Sequence, residues 1–232
     1  MSTRMKQIIK LNEQHAKVYD NIQFFDFYKK HLQDVRNKII DYRSKIIADV
    51  GCGTGNFKNF VNNAYYIGVD ICKEMLSTAK RKFSNSGNCD FILADAQHLP
   101  FKDSSLDAMV SVNVLYQLPE PQKFLTEAGR ALKDEGTIVI STPYSESTFS
   151  GLNKAALYDL LKNPLLIFKF LYKLPSLRRG QEINKKIMEY STLLPRSKLE
   201  QMVSNNGFEI ISEEETYNNQ NLLLTLRKRN NF

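Results

Sequence analysis

The stretch from Ile46 to Phe57, IIADVGCGTGNF, constrains this chain more than any other. An apolar run closes on an acid, Asp49, and then breaks into glycine at every second position: Gly51, Gly53 and Gly55. Glycine accepts positive φ and lets another group approach the backbone itself. A buried strand that runs through such a loop into a helix offers free N–H groups and a dipole end to a polar or anionic ligand. A tight turn without a ligand is the plainer reading, but three alternating glycines exceed what a turn needs.

The rest of the chain repeats the strand that precedes this loop. KIIADV, AYYIGVD, CDFILAD, LDAMVSV and GTIVIST are short apolar runs separated by segments of helical period. AYYIGVD ends in Asp70 and leads to a helix from Lys73 towards Lys82, and CDFILAD ends in Asp95. A helix after Pro121 puts Phe124, Leu125, Ala128 and Leu132 on one face, with Gly136 placed as its C-terminal cap. Such alternation predicts an α/β fold around a doubly wound, seven-stranded, mostly parallel sheet, whose ligand lies beyond the carboxyl ends of the strands. The glycines, Asp70 and Asp95 all fall at those ends.

One domain over 1–232 is expected. It would comprise an N-terminal helical cap (1–44), a cofactor-binding core (45–143), a lid or acceptor insertion (144–194), and a C-terminal helix and strands (195–232). In the cap, Ile22, Phe25, Leu32, Val35 and Ile39 recur at helical spacing. RSKLEQMVSNNGFEIISEEE reads as a helix, a Gly207 cap and a strand, and QNLLLTLRKR as a final strand.

Composition excludes more than it identifies. The chain has 42% hydrophobic and 25% charged residues, as a folded soluble protein does. Its first residues lack the apolar segment of a signal peptide, and no apolar run approaches the roughly 18 residues of a spanning helix. Cys52, Cys72 and Cys89, and His15, His31 and His98, have neither disulfide nor metal-ligand spacing. A reducing cytoplasm fits them, and no metal site is expected. The net charge of +7 is spread over the chain, with LRKRNNF its densest cluster.

Two ligands compete for the glycine loop. A dinucleotide fingerprint, G-x-G-x-x-G, places an acid about twenty residues on, where Asp70 stands. It also requires glycine where this chain has Asn56; the third glycine comes one residue early, at Gly55. DVGCGTG (49–55) instead resembles the first motif, (D/E)-x-G-x-G-x-G, of the class I S-adenosylmethionine-dependent methyltransferases. GVDICKEML resembles the second motif of that family, ADAQHLPF the third, LDAMVSVNVLYQL the fourth and ALKDEGTIVIST the fifth-strand signature. All five occur in order over about 15–143, on the side of the small-molecule and quinone-biosynthesis members.

That resemblance implies S-adenosylmethionine as cofactor, with S-adenosylhomocysteine as product. Its implied site has Gly51, Cys52, Gly53 and Gly55 against the methionine moiety, and Asp49 orienting the loop. Asp70 would take the ribose hydroxyls, Ile71 and Met75 would flank the adenine, and Asp95 and Ala96 would meet its edge. Asn113 and Tyr19 would help hold the methionine end. Asp70 and Asp95 could equally be helix N-caps.

Methyl transfer needs alignment and desolvation more than acid–base chemistry. Tyr19, Tyr116 and Tyr144 form the candidate catalytic group, whereas His98 reads as a solvent-edge or cofactor-side residue. Tyr116 stands where many relatives carry histidine. TFSGLNKAALYDLLKNPLLIFKFLYKLP, after strand five, reads as lid, as core, or as transient membrane contact through 164–175 with Lys169 and Lys173 as its polar stripe. The (N/D/S)-P-P-(Y/F) turn of enzymes that methylate nucleobase amines is absent after strand four, which argues against nucleic acid as acceptor. The expected activity is methyl transfer to oxygen, nitrogen or carbon of a small, partly apolar molecule. A nicotinamide-dependent oxidoreductase and a non-catalytic cofactor-binding protein are the alternatives. The oligomeric state is not legible.

Overall fold

The computed structural model describes residues 1–39, 45–147, 151–162 and 166–229. The end of LRKRNNF, the junction at 40–44 and the 163–165 part of the apolar lid segment lie outside the described residues.

Seven strands form one sheet: β1 (Ile46–Val50), β2 (Tyr65–Asp70), β3 (Cys89–Leu93), β4 (Leu106–Val112), β5 (Leu132–Pro143), β6 (Phe208–Thr216) and β7 (Asn221–Lys228). Their spatial order is β3-β2-β1-β4-β5-β7-β6. The first five run parallel, and β7 is antiparallel to both of its neighbours. Strand order reverses between β1 and β4, which opens a crevice at their carboxyl ends.

Helices cover both faces: α1 (Thr3–His15), α2 (Asp26–Asn37), α3 (Lys73–Lys82), α4 (Pro121–Ala131), α5 (Gly151–Lys162), α6 (Leu166–Glu189) and α7 (Arg196–Asn205). The two-residue period of the strands sorts the core. Ala48, Met109, Ile138, Ile140 and Leu224 pack with Phe124 and Leu125 of α4 and Leu199 and Val203 of α7. Their neighbours Ile47, Ala108, Val110, Val139 and Leu223 meet Tyr28, Leu32 and Val35 of α2 on the other face. Strands covered on both sides have to be apolar throughout, which is why KIIADV and LLLTL show no polar alternation. Each fully buried Leu, Ile or Phe contributes about 1.5–3 kcal/mol to this arrangement.

Three local expectations are revised. The described N-terminal residues, 1–39, hold two helices parted by a 3₁₀ turn over Tyr19–Phe24, where the sequence reads as one helix. Gly136 does not cap α4, which ends at Ala131 and runs directly into β5. The β4–β5 register slips between Leu106↔Leu132 and Ala108↔Thr137, and Glu135 takes φ +62°. A Cβ on Gly136 would stand 2.8 Å from the Lys133 carbonyl oxygen, so the glycine serves this close approach inside the strand. Finally, β3 stops at Leu93, leaving Asp95 in the following turn.

Candidate active site

The glycine loop after β1 is held by β2: the N–H groups of Gly51 and Cys52 donate to the Val69 carbonyl at 2.7 and 3.0 Å. All three glycines have positive φ, +77°, +54° and +76°, yet each is needed for a different reason. A Cβ on Gly51 would fall 2.0 Å from Cγ2 of Val114. One on Gly55 would lie 3.0 Å from the Phe83 ring and 3.2 Å from that of Phe91. One on Gly53 would meet nothing nearer than Tyr19 at 3.7 Å and Met75 at 3.9 Å. Gly51 and Gly53 line a cavity, whereas Gly55 is glycine for helix and sheet packing.

Asp70, at the end of β2, organises this loop. Its Oδ2 accepts from the Gly53 N–H at 2.8 Å and its Oδ1 from the Cys72 N–H at 2.8 Å. Burial raises its pKa, and these backbone donors hold it back. Each carboxylate oxygen can still accept a further hydrogen bond and Asp70 lines the cavity, so holding the loop and accepting from a ligand are compatible. Asn113, just past β4, sits at φ +61° with its N–H on the Ser141 carbonyl. Its Oδ1 accepts from Asn221 at 2.7 Å, and the same Asn221 amide donates to Ser141 at 2.8 Å.

The cavity is about 540 Å³. Gly51, Gly53, Asp70, Ile71, Met75, Ala96 and Asn113 form one wall, so these sequence candidates do come together. Tyr19 and Tyr116 also line it. The opposite wall comes from α1 (Asn12, His15), from Phe25, Phe27 and Tyr28, and from Phe170, Leu174 and Gln181 of α6. Asp159 of α5 fixes this wall by accepting from the Asp26 N–H at 2.9 Å, thereby capping α2, whose own Phe25 cap offers no side-chain oxygen.

Other expected residues stand elsewhere. Tyr144 does not point into the crevice: it packs in the core, and its hydroxyl donates to Glu215 at 2.7 Å on β6. Cys52 is buried among the core residues beneath the loop, where a Cβ on Gly68 would come within 2.8 Å of its sulfur. Asp49 is 2% exposed and accepts from the Tyr66 hydroxyl at 2.5 Å, so its carboxylate anchors β1 to β2. Burial raises its pKa to about 7. Asp95 accepts from the N–H of Gln97 at 2.9 Å, a turn-forming bond, and Ala94 and Ala96 on either side of it face the cavity in its place. His98 is exposed, as expected.

Sequence patterns missed Tyr28, Tyr217, His15, Gln220 and Asn221, all of which line the cavity. The signal for three of them was TYNNQN, where Tyr217, Asn218 and Asn219 all take positive φ in the β6–β7 turn. Gln220 is 3% exposed, and its Nε2 has no hydrogen-bond partner among the described residues. A buried donor of this kind takes an oxygen from water or from a ligand in the cavity it lines. Proximity to Tyr28 and then burial raise the pKa of Tyr19 well above that of a free phenol. Burial pushes Tyr116 up to about 12 and raises Tyr28 and Tyr217 as well. Burial lowers His15 to about 4. At neutral pH the cavity thus presents four protonated phenols and one neutral imidazole. Among the described residues there is no cluster of metal-ligating side chains.

Residues 48–140 match a family model described as a methyltransferase domain. The ubiquinone/menaquinone biosynthesis C-methyltransferase UbiE of Campylobacter jejuni is 29% identical over 232 residues, 90% of this chain and 92% of that one. A Mus musculus protein named "Probable tRNA methyltransferase 9B" is 26% identical over 141 residues, 58% of this chain and 30% of its own. The chain spans 28–47% of the length of several of the curated relatives it matches. Among solved structures, a complex of the Haloferax volcanii Trm112 methyltransferase activator with a methyltransferase aligns at TM-score 0.69 and 15% identity. That alignment covers 95% of this chain and 98% of the other.

Sheet order, glycine loop and family model agree: the chain has the class I methyltransferase fold, and residues 48–140 match a methyltransferase domain. The similarity to UbiE runs over 90% of this chain and 92% of that one. The residues present fit the cofactor of the class. Gly53 leaves a bare cradle where a Cβ would project, Asp70 has free lone pairs, and the Gln220 amide awaits an acceptor.

Proposed function

We propose that this chain transfers a methyl group from S-adenosylmethionine to oxygen, nitrogen or carbon of a small acceptor with a substantial apolar part, by in-line displacement. One observation carries the acceptor class. The cavity does not end at the glycine loop: its lining also includes Phe25, Phe27, Tyr28, Tyr217, Phe170 and Leu174. Such an aromatic and aliphatic chamber suits a ring bearing an apolar chain. The similarity to UbiE, a C-methyltransferase of quinone biosynthesis, supports an acceptor of that chemistry.

Bound S-adenosylmethionine supplies a methyl group on a cationic sulfur that departs as a neutral thioether. The protein's share is placement. Gly51, Gly53, Asp70, Ile71, Met75, Ala96 and Asn113 would hold the cofactor. The protonated hydroxyls of Tyr19, Tyr28, Tyr116 and Tyr217 would donate to an acceptor oxygen, and the Gln220 amide would add a further donor. Phenols held protonated are poor general bases. His15 is neutral at pH 7, but the burial that lowers its pKa to about 4 leaves it a weak base, so placement carries the catalysis. We place the reaction in the cytoplasm, consistent with reduced cysteines; among the described residues no helix is long and apolar enough to cross a membrane.

Titration calorimetry with S-adenosylhomocysteine, NAD and NADP tests the cofactor, and a labelled-methyl assay with a quinol bearing a short prenyl chain tests the acceptor. Binding of S-adenosylhomocysteine alone, lost in Asp70→Ala, together with label transfer to the quinol, is the expected result. Binding of a nicotinamide cofactor would replace the reading with hydride chemistry. Tight S-adenosylhomocysteine binding without transfer to the quinol or to its ring-only analogue would remove the apolar acceptor.

A further inference from the structure

The helices that wall the acceptor chamber also carry the largest exposed apolar side chains of the described residues. On α5, Leu157, Tyr158 and Leu161 are 58%, 65% and 69% exposed. On α6, Ile167, Phe168, Leu171 and Tyr172 are 42%, 77%, 56% and 88% exposed. At 100° per residue these four fall within one arc of α6, while Phe170 and Leu174 turn inward to the chamber. Leu157 belongs to both surfaces: it is exposed and also lines the cavity, so the apolar patch is continuous with the chamber mouth.

Charge identifies what covers this patch. Across α5 and α6, from Gly151 to Glu189, the sequence carries eight cations, Lys154, Lys162, Lys169, Lys173, Arg178, Arg179, Lys185 and Lys186, against three acids, Asp159, Glu182 and Glu189. Asp159 is buried and committed to the α2 N-terminus. Lys162, Lys169, Arg178 and Arg179 are exposed around the apolar arc. A second copy of the chain docked here would bring two net-positive faces together, with cations outnumbering Glu182 and Glu189 on each. An anionic lipid surface supplies both an apolar interior and a negative headgroup layer.

We infer that α5 and α6 form a membrane-docking face, which seats the chamber mouth on an anionic bilayer so that a lipid-dissolved acceptor enters without crossing water. The docking rests on exposure and charge alone; only its link to acceptor entry rests on the proposed methyltransferase function.

Flotation of the full chain with phosphatidylcholine vesicles, and with phosphatidylcholine vesicles containing phosphatidylglycerol, tests this directly. The wild type should float with the anionic vesicles and not with the neutral ones. Phe168→Asp/Tyr172→Asp should reduce partitioning at least about tenfold, while S-adenosylhomocysteine binding, read by calorimetry, reports an intact core. Lys169→Glu/Arg179→Glu should weaken binding and leave its residue salt-independent. Three results would overturn the inference: no flotation with either vesicle, flotation unchanged by the aspartate pair, or a patch-dependent dimer by light scattering in place of lipid binding. None of these readouts requires methyl transfer, so failure here leaves the proposed function standing, and failure of that function leaves this result interpretable.

Discussion

Alanine at Gly53 should separate ligand binding from folding, and alanine at Gly55 should do the reverse. A Cβ at Gly53 meets only Tyr19 at 3.7 Å and Met75 at 3.9 Å, ordinary contact distances. The folded protein would bear only the cost of alanine at φ +54°, about 1 kcal/mol. For a chain of this length that lowers Tm by roughly 2–4 °C. The same methyl projects between two cavity-lining side chains, into space a bound ligand would use. S-adenosylhomocysteine affinity should fall at least tenfold, about 1.4 kcal/mol. Gly55→Ala carries the same backbone cost but presses on Phe83 at 3.0 Å and Phe91 at 3.2 Å. Overpacking of this kind adds about 1–3 kcal/mol, for a total near 2–4 kcal/mol and a Tm loss of roughly 4–16 °C. Its folded fraction should bind S-adenosylhomocysteine within about threefold of wild type, because Gly55 lies behind the cavity wall. Thermal unfolding and calorimetry on both variants decide the matter. If Gly55→Ala lost binding while keeping its Tm, the division of labour among the glycines would be wrong.

Three further perturbations follow from the site. Asp70→Asn leaves one oxygen to serve two backbone donors, so it should cost about 1.5–3 kcal/mol of stability and at least tenfold in S-adenosylhomocysteine affinity, both measurable by the same two methods. Asp49 has a folded pKa raised to about 7, so its contribution to stability is complete below the ordinary carboxylate range and is lost as pH rises towards 7. Because Asp49→Asn imitates the protonated acid at every pH, its Tm relative to wild type should climb between pH 4 and 7; a pH-independent difference would refute the buried titration. Phenylalanine at Tyr19, Tyr116 or Tyr217 should each lower kcat less than about tenfold, since loss of a general base would cost about 10²–10⁴, and a loss in that larger range at any one position would identify it as the base.

What the sequence disclosed, and what it withheld, differ in physical kind. Strands buried on both faces are apolar throughout, so β1, β2 and β4 could be read nearly to the residue, and α3 follows from its own period. The cavity wall on the cofactor side is equally local, because a glycine loop and a strand-end acid are neighbours in sequence. The opposite wall is not. Tyr28, Tyr217 and Gln220 reach the chamber only because β7 lies beside β5 and α2 crosses that face, and no periodicity within a segment reports such a crossing. Tyr144 failed for the same reason. Its place after β5 aimed it at the crevice, but Glu215 on the distant β6 captures the hydroxyl. Gly136 failed for a nearer one, since a close backbone approach and a helix cap require the same residue.

The placement of β7 has a consequence for how the sheet comes apart. β6 precedes β7 in the chain, yet it reaches the sheet only through β7, which bonds β5 on its other side. β6 can fray while β7 remains paired, but β7 cannot leave β5 without carrying β6 away. Protection of β6 amides against exchange with solvent is therefore bounded above by that of β7. Tyr217 and Gln220, in the turn that joins the two strands, line the cavity, so fraying of this hairpin opens the cavity on that side and leaves the glycine loop intact.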